Sequence, residues 1–291
     1  MDLKLLAIIL TFNSETSITK VIESCRQIAD RILVVDSFSS DQTVNLATSL
    51  GCEVVQHKFE NYSSQRNWAQ VYAKLEPENW VFHIDSDEII SPELAQSICM
   101  AIADAPEEID GYLIRRLSYF LKHPIKFGHI NPSWHLRLFK ASKGFCEERL
   151  YDQHFVVRGK TKHLQGLLLD LQLTTIENWT ASHNRWSSAE ALEVFLQAQT
   201  EKIQDQTLPA SLQGDLRMQK RWLKNNLYYR SPPLLRAFLF FIYSYFFRLG
   251  FLDGQAGLIY HILQAFWFRF LTDSKIIEMH LNEVSKLESD R

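Results

Sequence analysis

The sequence predicts an α/β fold, in which a mostly parallel sheet is flanked by helices and followed by a helical C-terminal region. Short apolar runs in the first hundred residues alternate with segments that have helical spacing. Strands buried on both faces read as continuous apolar runs, and their alternation with helices indicates a parallel sheet. The last third differs in character, because residues 216–252 contain seven basic side chains and neither Asp nor Glu.

Four apolar runs predict the strands of the sheet, at residues 5–10, 32–35, 53–55 and 80–84. Segments with helical spacing lie between them, at residues 17–29, 43–50 and 64–74. Gly51 stands just past the second of these helices, where glycine is preferred. Ser91, Pro92 and Glu93 have the order of a cap, a first-turn proline and a first-turn acid, which predicts a helix to about residue 104.

The second half of the chain is harder to assign. Residues 112–169 are irregular, with short strand-like pieces among polar and aromatic residues, and regions of this kind often carry function on a rigid scaffold. Helical character returns from residue 186, where residues 187–190 resemble a capping box.

Composition excludes several classes of protein. A net charge of −3 over 291 residues argues against a strongly basic nucleic-acid binder. The four cysteines are widely spaced without a C-x-x-C pair, which favours a reduced, cytosolic setting over a disulfide framework or a zinc site. The apolar run at residues 5–10 is too short for a secretory signal and is interpreted as a buried strand.

The strongest chemical signal is the acidic run Asp85-Ser86-Asp87-Glu88 at the end of the fourth predicted strand. Carboxylates this close repel one another unless something positive lies among them. The carboxyl ends of parallel strands are also where open α/β sheets bind ligands. Mg²⁺ or Mn²⁺, held by one or two carboxylates and by phosphate oxygens of a substrate, fits this arrangement. The alternative is a solvated acidic turn that caps the next helix.

Three weaker signals lie at the same predicted edge. Asp36 ends the second strand and precedes a hydroxyl-rich turn, so its carboxylate can hydrogen-bond a base or a ribose; a plain strand–turn–helix junction is the alternative. Residues 11–15 follow the first strand. Arg66 opens a helix, where it either pairs with a diphosphate or is an ordinary surface arginine.

Together these segments resemble the inverting family 2 glycosyltransferases in order, spacing and strand placement. They read LAIILTFNSE, VVDSFSSDQT, SSQRNWA and WVFHIDSDE. The resemblance covers about residues 3–190 and is closest to the branch that builds lipopolysaccharide core and exopolysaccharide. Residues 134–139, 183–187 and 249–254 are similar to that branch as well.

The resemblance implies a single Rossmann-like domain of the GT-A type and a metal-dependent inverting hexosyltransferase. It implies a domain at residues 1–200, with a nucleotide-sugar half at 1–110 and an acceptor half at 111–200. The donor implied by the resemblance is a UDP-sugar. The residues implied to contact it are Thr11, Asn13 and Glu15 in the nucleotide pocket, Asp36 at the base, Arg66 near the base and diphosphate, and Asp85 at the ribose or sugar. Asp87 is implied to hold the divalent metal, Mg²⁺ or Mn²⁺.

An inverting transfer also needs a base that takes the proton of the acceptor hydroxyl. The family supplies this carboxylate from a segment well after the metal acids, which corresponds here to residues 147–155. The segment departs from the usual His-Glu pattern, because Gln153 stands where the relatives have glutamate and Asp152 where they have histidine. Asp152 is therefore the first candidate for the base, and Glu148 is the second.

Residues 201–291 are predicted to form a helical, basic and apolar membrane-associating region. Two uncharged apolar stretches, 237–247 and 258–268, are too short to span a bilayer, so a broken hairpin lying on or dipping into one leaflet is expected. The basic side chains of 216–252 are expected to attract anionic lipids on the cytoplasmic face of the plasma membrane. The alternatives are a helical pair packed on the catalytic domain and a dimer interface.

The sequence therefore favours transfer of a sugar from a nucleotide-diphosphate donor, with inversion, to a lipid-linked or cell-surface polysaccharide acceptor. One alternative is a membrane-bound nucleotide-sugar-binding scaffold without catalysis, which the altered segment around Asp152 keeps open. A nucleotidyltransferase is the second alternative, although such enzymes usually carry a glycine-rich loop after the first strand, where this chain has TFNSET. No nucleic-acid partner is expected.

Overall fold

The computed structural model describes the backbone of residues 4–199 and 207–289, and the side chains of residues 4–197 and 207–283. In chain order the strands and helices are β1 Leu5–Thr11, α1 Ile18–Cys25, β2 Arg31–Asp36, α2 Thr43–Ser49, β3 Glu53–Gln56, α3 Tyr62–Tyr72, β4 Trp80–Asp85, β5 Glu88–Ile90, α4 Pro92–Ala103, β6 Ile109–Phe120, β7 His123–Pro124, β8 Ser133–Lys140, β9 Gly144–Cys146, β10 Phe155–Val157, β11 Lys160–His163, β12 Leu168–Asp170, α5 Ile176–Gln199, α6 Leu216–Leu223, α7 Leu235–Ile242, α8 Gly254–His261 and α9 Phe268–Ser289. Three π-helical turns, Lys224–Tyr228, Tyr243–Phe247 and Ile262–Trp267, follow α6, α7 and α8.

The chain forms two compact units. The first comprises Met1–Lys122, Pro132–Glu148 and Gln153–Leu173, and the second comprises His123–Asn131, Arg149–Asp152 and Thr174–Arg291. Helix α5 therefore belongs to the second unit. The sequence predicted a domain boundary after it, at residue 200. That residue and residues 201–206 lie outside the described part of the chain. The assignment of a donor half and an acceptor half stays a prediction.

The first unit is built on a mixed, mostly parallel sheet flanked by helices, as expected for a GT-A-like fold. The sheet has the order β3-β2-β1-β4-β8-β6-β12-β5, with β11 parallel to β6. Strands β1 to β4 run parallel to one another, and β8 is antiparallel to both β4 and β6. The parallel part therefore brings the ends of β1, β2 and β4 to one edge.

The two faces of β1 supply two separate cores. Leu5, Ala7 and Ile9 pack with α1 and α4, while Leu6 and Ile8 pack with the buried face of α3. Side chains alternate across a strand, so a continuous apolar run fills both layers. This confirms the interpretation of residues 5–10 as a strand buried on both faces.

Most predicted elements of the first hundred residues are confirmed, including the cap at Ser91, whose side chain accepts a hydrogen bond from the backbone of Leu94 at 3.2 Å. The first helix is shorter than predicted and ends at Cys25. The helix expected directly after the acidic run is preceded by β5, which pairs with β12. The pairing partner lies about 80 residues along the chain, a distance over which local patterns carry no information.

The second half departs further from the sequence-based assignment. The region taken as irregular, residues 112–169, begins inside β6, a strand of 12 residues. The predicted capping box at 187–190 is wrong, because these residues lie inside α5, where the Ser187 hydroxyl donates to the carbonyl of Asn184 at 2.8 Å.

The second unit is helical in its larger part, with α5 packed on α9 and α7 on the π-helical turn Ile262–Trp267. Within the described part of the chain, no single helix is both long and apolar enough to cross a membrane. The pair Leu235–Phe247 and Gly250–Glu283, bent by 71°, meets the length and composition requirement only when taken together.

Candidate active site

Asp36 and Thr11 meet at the edge where β1 and β2 end, because the register of the two strands places them side by side. The Thr11 hydroxyl donates to Asp36 Oδ1 at 3.0 Å. The amide of Gln56 donates to Oδ2 at 3.2 Å, and Ser39 donates to both oxygens through its hydroxyl and its backbone N–H. The Asp36 side chain is fully buried, and these donors occupy its acceptor positions. Any contact with a base requires one of them to be exchanged.

Asn13 and Glu15 tie the loop after β1 to the loop after β2. The backbone N–H of Asn13 donates to the Ser39 hydroxyl at 2.8 Å, and Asn13 Oδ1 accepts from the backbone of Ser40 at 2.9 Å. Glu15 accepts from the backbone N–H of Gln42, just before α2, at 3.0 Å. These loops bring Asn13 and Glu15 to the same edge as Asp36. Both side chains are exposed to solvent there.

Asp85 lies between two arginines. Arg66 Nη2 donates to Oδ1 at 3.0 Å, and Arg137 Nη2 donates to Oδ2 at 2.8 Å. Burial opposes ionisation of Asp85, but Arg137 and Arg66 outweigh it and hold the pKa of this carboxyl well below its usual range. Arg66, predicted to meet the donor, is thus buried and paired with another predicted residue, while its Nε has no hydrogen-bond partner in the described structure.

Glu88 continues the charge network beneath the edge. Its Oε1 accepts from Arg137 at 2.9 Å and lies 3.7 Å from Arg116, which also lies 3.7 Å from Asp170. Glu88 Oε2 accepts from the backbone N–H of Asp85 at 3.0 Å, so it fixes the turn that carries the acids. Glu88 is therefore a structural member of the acidic run.

Asp87 differs from its acidic neighbours. Within the described residues its carboxylate makes no hydrogen bond and no ion pair. Burial raises its pKa well above the ordinary value, and the carboxylates of Asp170, Glu88 and Asp85 raise it further, whereas Arg116 lowers it. Negative charge without a protein partner is what a bound cation relieves.

The surroundings of Asp87 decide how a divalent metal would fit. No group of three or more His, Cys, Asp or Glu side chains in the described residues is arranged to hold an ion. A protein cage is therefore absent from that part of the chain, whereas a single carboxylate that shares the ion with substrate phosphates is a normal arrangement for Mg²⁺. Asp87 fits that role, and Asp85, already held by two arginines, does not need a metal for its charge.

The two candidate bases lie in the segment between β9 and β10. Glu147 joins the two ends of this segment, because its carboxylate accepts a hydrogen bond from the backbone N–H of His154 at 2.8 Å. Glu148 is exposed and belongs to the first unit. Asp152 is exposed, has a φ of 57° and lies 3.7 Å from Lys224 Nζ in the second unit. Their role as base stays a prediction.

A family model described as glycosyl transferase family 2 matches residues 6–155, which include all of the strand-end residues above. The chain belongs to glycosyl transferase family 2.

Relatives within the family extend along nearly the whole chain. An uncharacterized glycosyltransferase of Rickettsia conorii is 26% identical over 99% of this chain and 94% of its own length. A lipopolysaccharide core biosynthesis glycosyltransferase of Rhizobium meliloti is 24% identical over 96% of this chain and 93% of its own. A Rickettsia bellii glycosyltransferase is 36% identical, but the match spans only 41% of this chain and 39% of that protein.

Among solved structures, a glucosyl-3-phosphoglycerate synthase from Mycobacterium tuberculosis is similar over 40% of this chain and 45% of its own, with 22% identity and a TM-score of 0.33.

Sequence reasoning missed three members of the charge network in this family 2 chain: Arg116, Arg137 and Asp170. Arg137 stands in the segment LRLF of β8, where a charge interrupts apolar residues. A buried strand carries a charge only when a partner is present, so this arginine was a usable signal. Arg116 and Asp170 gave no comparable signal, because their proximity depends on the pairing of β6 with β12.

Proposed function

We propose that this family 2 glycosyltransferase transfers a sugar from a UDP-sugar, with inversion at the anomeric carbon, to a lipid-linked or cell-surface polysaccharide acceptor. The observation that carries the proposal is the state of Asp87. It is an acid crowded by other acids, without a protein partner in the described residues, at the strand edge where α/β sheets bind ligands.

The donor would bind across the edge formed by β1, β2 and β4. Thr11, Asn13, Glu15 and Asp36 would line the nucleoside pocket, and the two loops that carry them are already joined by hydrogen bonds. Such preorganisation lowers the entropy lost when a ligand binds. Two exposed rings, Phe12 and Phe38, project from the same loops and offer an apolar surface to a base.

Arg66 and Asp87 would meet the diphosphate. A divalent ion, Mg²⁺ or Mn²⁺, held by Asp87 and the donor, would neutralise the charge that builds on the leaving nucleoside diphosphate. Arg66 keeps one N–H without a partner in the described structure, which can donate to a phosphate oxygen. Asp85 would contact the ribose or the sugar while Arg66 and Arg137 hold its orientation.

Asp152 is proposed as the base that takes the acceptor proton, with Glu148 as the second candidate. Replacement of each by its amide separates them, since only loss of the true base lowers the rate of transfer by about 10²-fold or more while donor binding is retained. If both amides transfer at the wild-type rate, another residue is the base.

The acceptor class and the location rest on different support. The relative from Rhizobium meliloti acts in lipopolysaccharide core biosynthesis, and its match covers nearly the whole of both chains. An acceptor attached to lipid stays near the membrane, so we place the enzyme on the cytoplasmic face of the plasma membrane as a peripheral or monotopic protein. The apolar helices of the second unit support this placement.

The test is calorimetric titration of UDP into the protein with and without Mn²⁺, beside Asp87→Ala. Glu107→Ala, which removes an exposed acid outside the site, is the matched control. We expect wild type and control to bind UDP only with the metal, and Asp87→Ala to lose the metal-dependent part. Absence of binding with UDP, GDP and dTDP alike would overturn the proposal.

Catalysis needs a separate measurement. Binding of the donor without transfer of the sugar to any lipid-linked acceptor would favour the scaffold alternative. Transfer with an inverted anomeric configuration, read by NMR of the product, supports the enzyme.

A further inference from the structure

Helix α7 and the π-helical turn after it present apolar side chains to solvent. Leu235, Phe238 and Leu239 are 51%, 50% and 52% exposed, at the intervals of three and four residues that keep side chains on one helix face. The pattern continues through Phe246 and Phe247, which are 51% and 76% exposed. A helix on the surface of a water-soluble protein normally turns such residues inward.

The following helices show the same pattern. Leu258, Ile262 and Phe270 are exposed along α8, its π-helical turn and the start of α9. Phe251 and Leu252, in the short connection between the two helical segments, are 43% and 53% exposed. We call these residues, with the five named for α7 and its π-helical turn, the outer apolar face of the second unit.

Several polar side chains of the same helices are buried. Arg236 pairs with Asp273 at 2.6 Å, and these side chains are 5% and 1% exposed. The buried Ser244 hydroxyl lies 2.7 Å from His129 Nδ1 and 3.1 Å from His261 Nδ1. These helices therefore bury several charged and polar side chains while they expose the apolar side chains named above.

The loop between the two segments follows the same rule. Asp253 is buried and accepts hydrogen bonds from the backbone N–H groups of Lys126 and Phe127 at 2.9 to 3.1 Å. Backbone groups of the protein therefore supply its hydrogen bonds. Buried polar groups that have protein partners, next to an exposed apolar face, suit a hydrocarbon environment.

The basic stretch, in contrast, is mostly occupied by internal contacts. Arg217 pairs with Asp215, Arg236 with Asp273 and Lys224 with Glu190, and Arg221 donates to the carbonyl of Leu208. These four basic side chains therefore have partners within the protein, and the attraction of the basic stretch to anionic lipids stays a prediction. Lys220, Arg230 and Arg248 remain exposed.

We propose that the outer apolar face enters the acyl boundary of an anionic membrane, and that insertion of apolar side chains, more than the basic stretch, holds the protein there. Lys220 and Arg230 precede this face in the sequence, and Arg248 lies between its two helical segments. Residues 216–252 contain no acid, so the charge of this stretch matches anionic head groups. This deepens the membrane location proposed above and is independent of the transfer chemistry.

The test is flotation of the full chain with vesicles of phosphatidylcholine alone and with added phosphatidylserine. The variant Phe238→Gln/Phe247→Gln removes two exposed rings and keeps helix-forming residues, so its fold should be unaffected. We expect its partition coefficient to fall at least tenfold on both kinds of vesicle, because burial of the two rings together contributes about tenfold or more. Val71→Gln/Met100→Gln, which removes exposed apolar side chains of helices α3 and α4, should bind like wild type.

Two further variants separate insertion from charge and from catalysis. Lys220→Glu/Arg230→Glu should lower binding only to vesicles that contain phosphatidylserine. Asp87→Ala should float like wild type, so a failure of the proposed chemistry is distinguishable from a failure of this surface.

Insertion itself can be read by quenching. Tryptophan at position 247 (Phe247→Trp) should be quenched by brominated phosphatidylcholine beyond the wild-type background, whereas Val71→Trp should not. Unchanged flotation of Phe238→Gln/Phe247→Gln would overturn the proposal. A wild-type protein that ignores vesicles but forms dimers lost in this variant would overturn it too, since a second copy then covers the face.

Discussion

Replacement of Arg137 by methionine tests whether this side chain holds the charge network of the first unit together. Its Nη2 donates to Asp85 at 2.8 Å and to Glu88 at 2.9 Å, and the Glu88 side chain is 1% exposed. Methionine occupies a similar space without the charge. The variant therefore leaves two carboxylates close together in a buried setting with half of their compensation removed.

The magnitude follows from the remaining contacts. Removal of one partner of a buried ion pair costs about 3–5 kcal/mol. Asp85 keeps Arg66 and Glu88 keeps Arg116 at 3.7 Å, so we expect the lower end, a loss of about 3 kcal/mol in the free energy of unfolding. Urea denaturation of Arg137→Met measures it, with Arg115→Met, at an exposed arginine of β6, as the matched control.

A second substitution identifies the cause. If the loss comes from uncompensated charge, Glu88→Gln in the Arg137→Met background should recover about 1–2 kcal/mol, because a neutral amide is less costly to bury than a carboxylate. A loss under about 1 kcal/mol for Arg137→Met would refute the reasoning. So would a double variant less stable than Arg137→Met alone.

Three other substitutions give independent checks. Asp87→Asn should raise the free energy of unfolding by about 1 kcal/mol, because burial and the neighbouring acids disfavour the charge of Asp87. The same variant should abolish metal-dependent UDP binding. A variant that is less stable than wild type in urea denaturation would contradict this. Burial lowers the pKa of His183 to about 4. Its contribution to the free energy of unfolding is therefore fully present above pH 6.5 and falls by about 3 kcal/mol as the pH drops to 4. His183→Gln should flatten this dependence in denaturation curves measured from pH 7 to 4. Gly128→Ala should destabilise the second unit by about 3 kcal/mol or more, because φ is +89° and the new Cβ would lie 2.1 Å from the ring of His261. The control Gly51→Ala, at φ +70° with open space around it, should cost only about 1 kcal/mol in thermal unfolding. Equal losses for the two variants would argue against the clash.

The edge formed by the ends of β1, β2 and β4 was predictable from the sequence because its elements are local. The predicted strands at 5–10, 32–35 and 80–84 are confirmed, and their parallel register brings the predicted Thr11, Asp36 and Asp85 to one edge. Consecutive parallel strands belong to βαβ units, and the alternation of apolar runs with helices is enough to predict such a unit.

The rest of the first unit depends on contacts distant in the chain. Strand β5 is only three residues long and is held by its pairing with β12. Strand β6 pairs with both β8 and β12, which follow it at different distances along the chain. No local period reports such pairings. The roles of Glu148 and Asp152 stay predictions for a related reason, since the segment that carries them lies outside the regular pattern of the sheet.

The two units share one kind of sequence signal whose meaning emerges only with the fold. Arg137 interrupts an apolar strand and meets Glu88, 49 residues before it; Arg236 precedes an apolar helical run and meets Asp273, 37 residues after it. In each case, an arginine beside apolar residues marks the position of a distant carboxylate, because burial of the cation without that partner costs more than packing returns. The direction in which the neighbouring apolar residues face then follows. In β8 they fill the core beside the arginine, whereas in α7 the arginine takes the inner side and the leucines and phenylalanines are turned outward. Both segments combine one arginine with leucine and phenylalanine, and the partner of the arginine decides between the two arrangements.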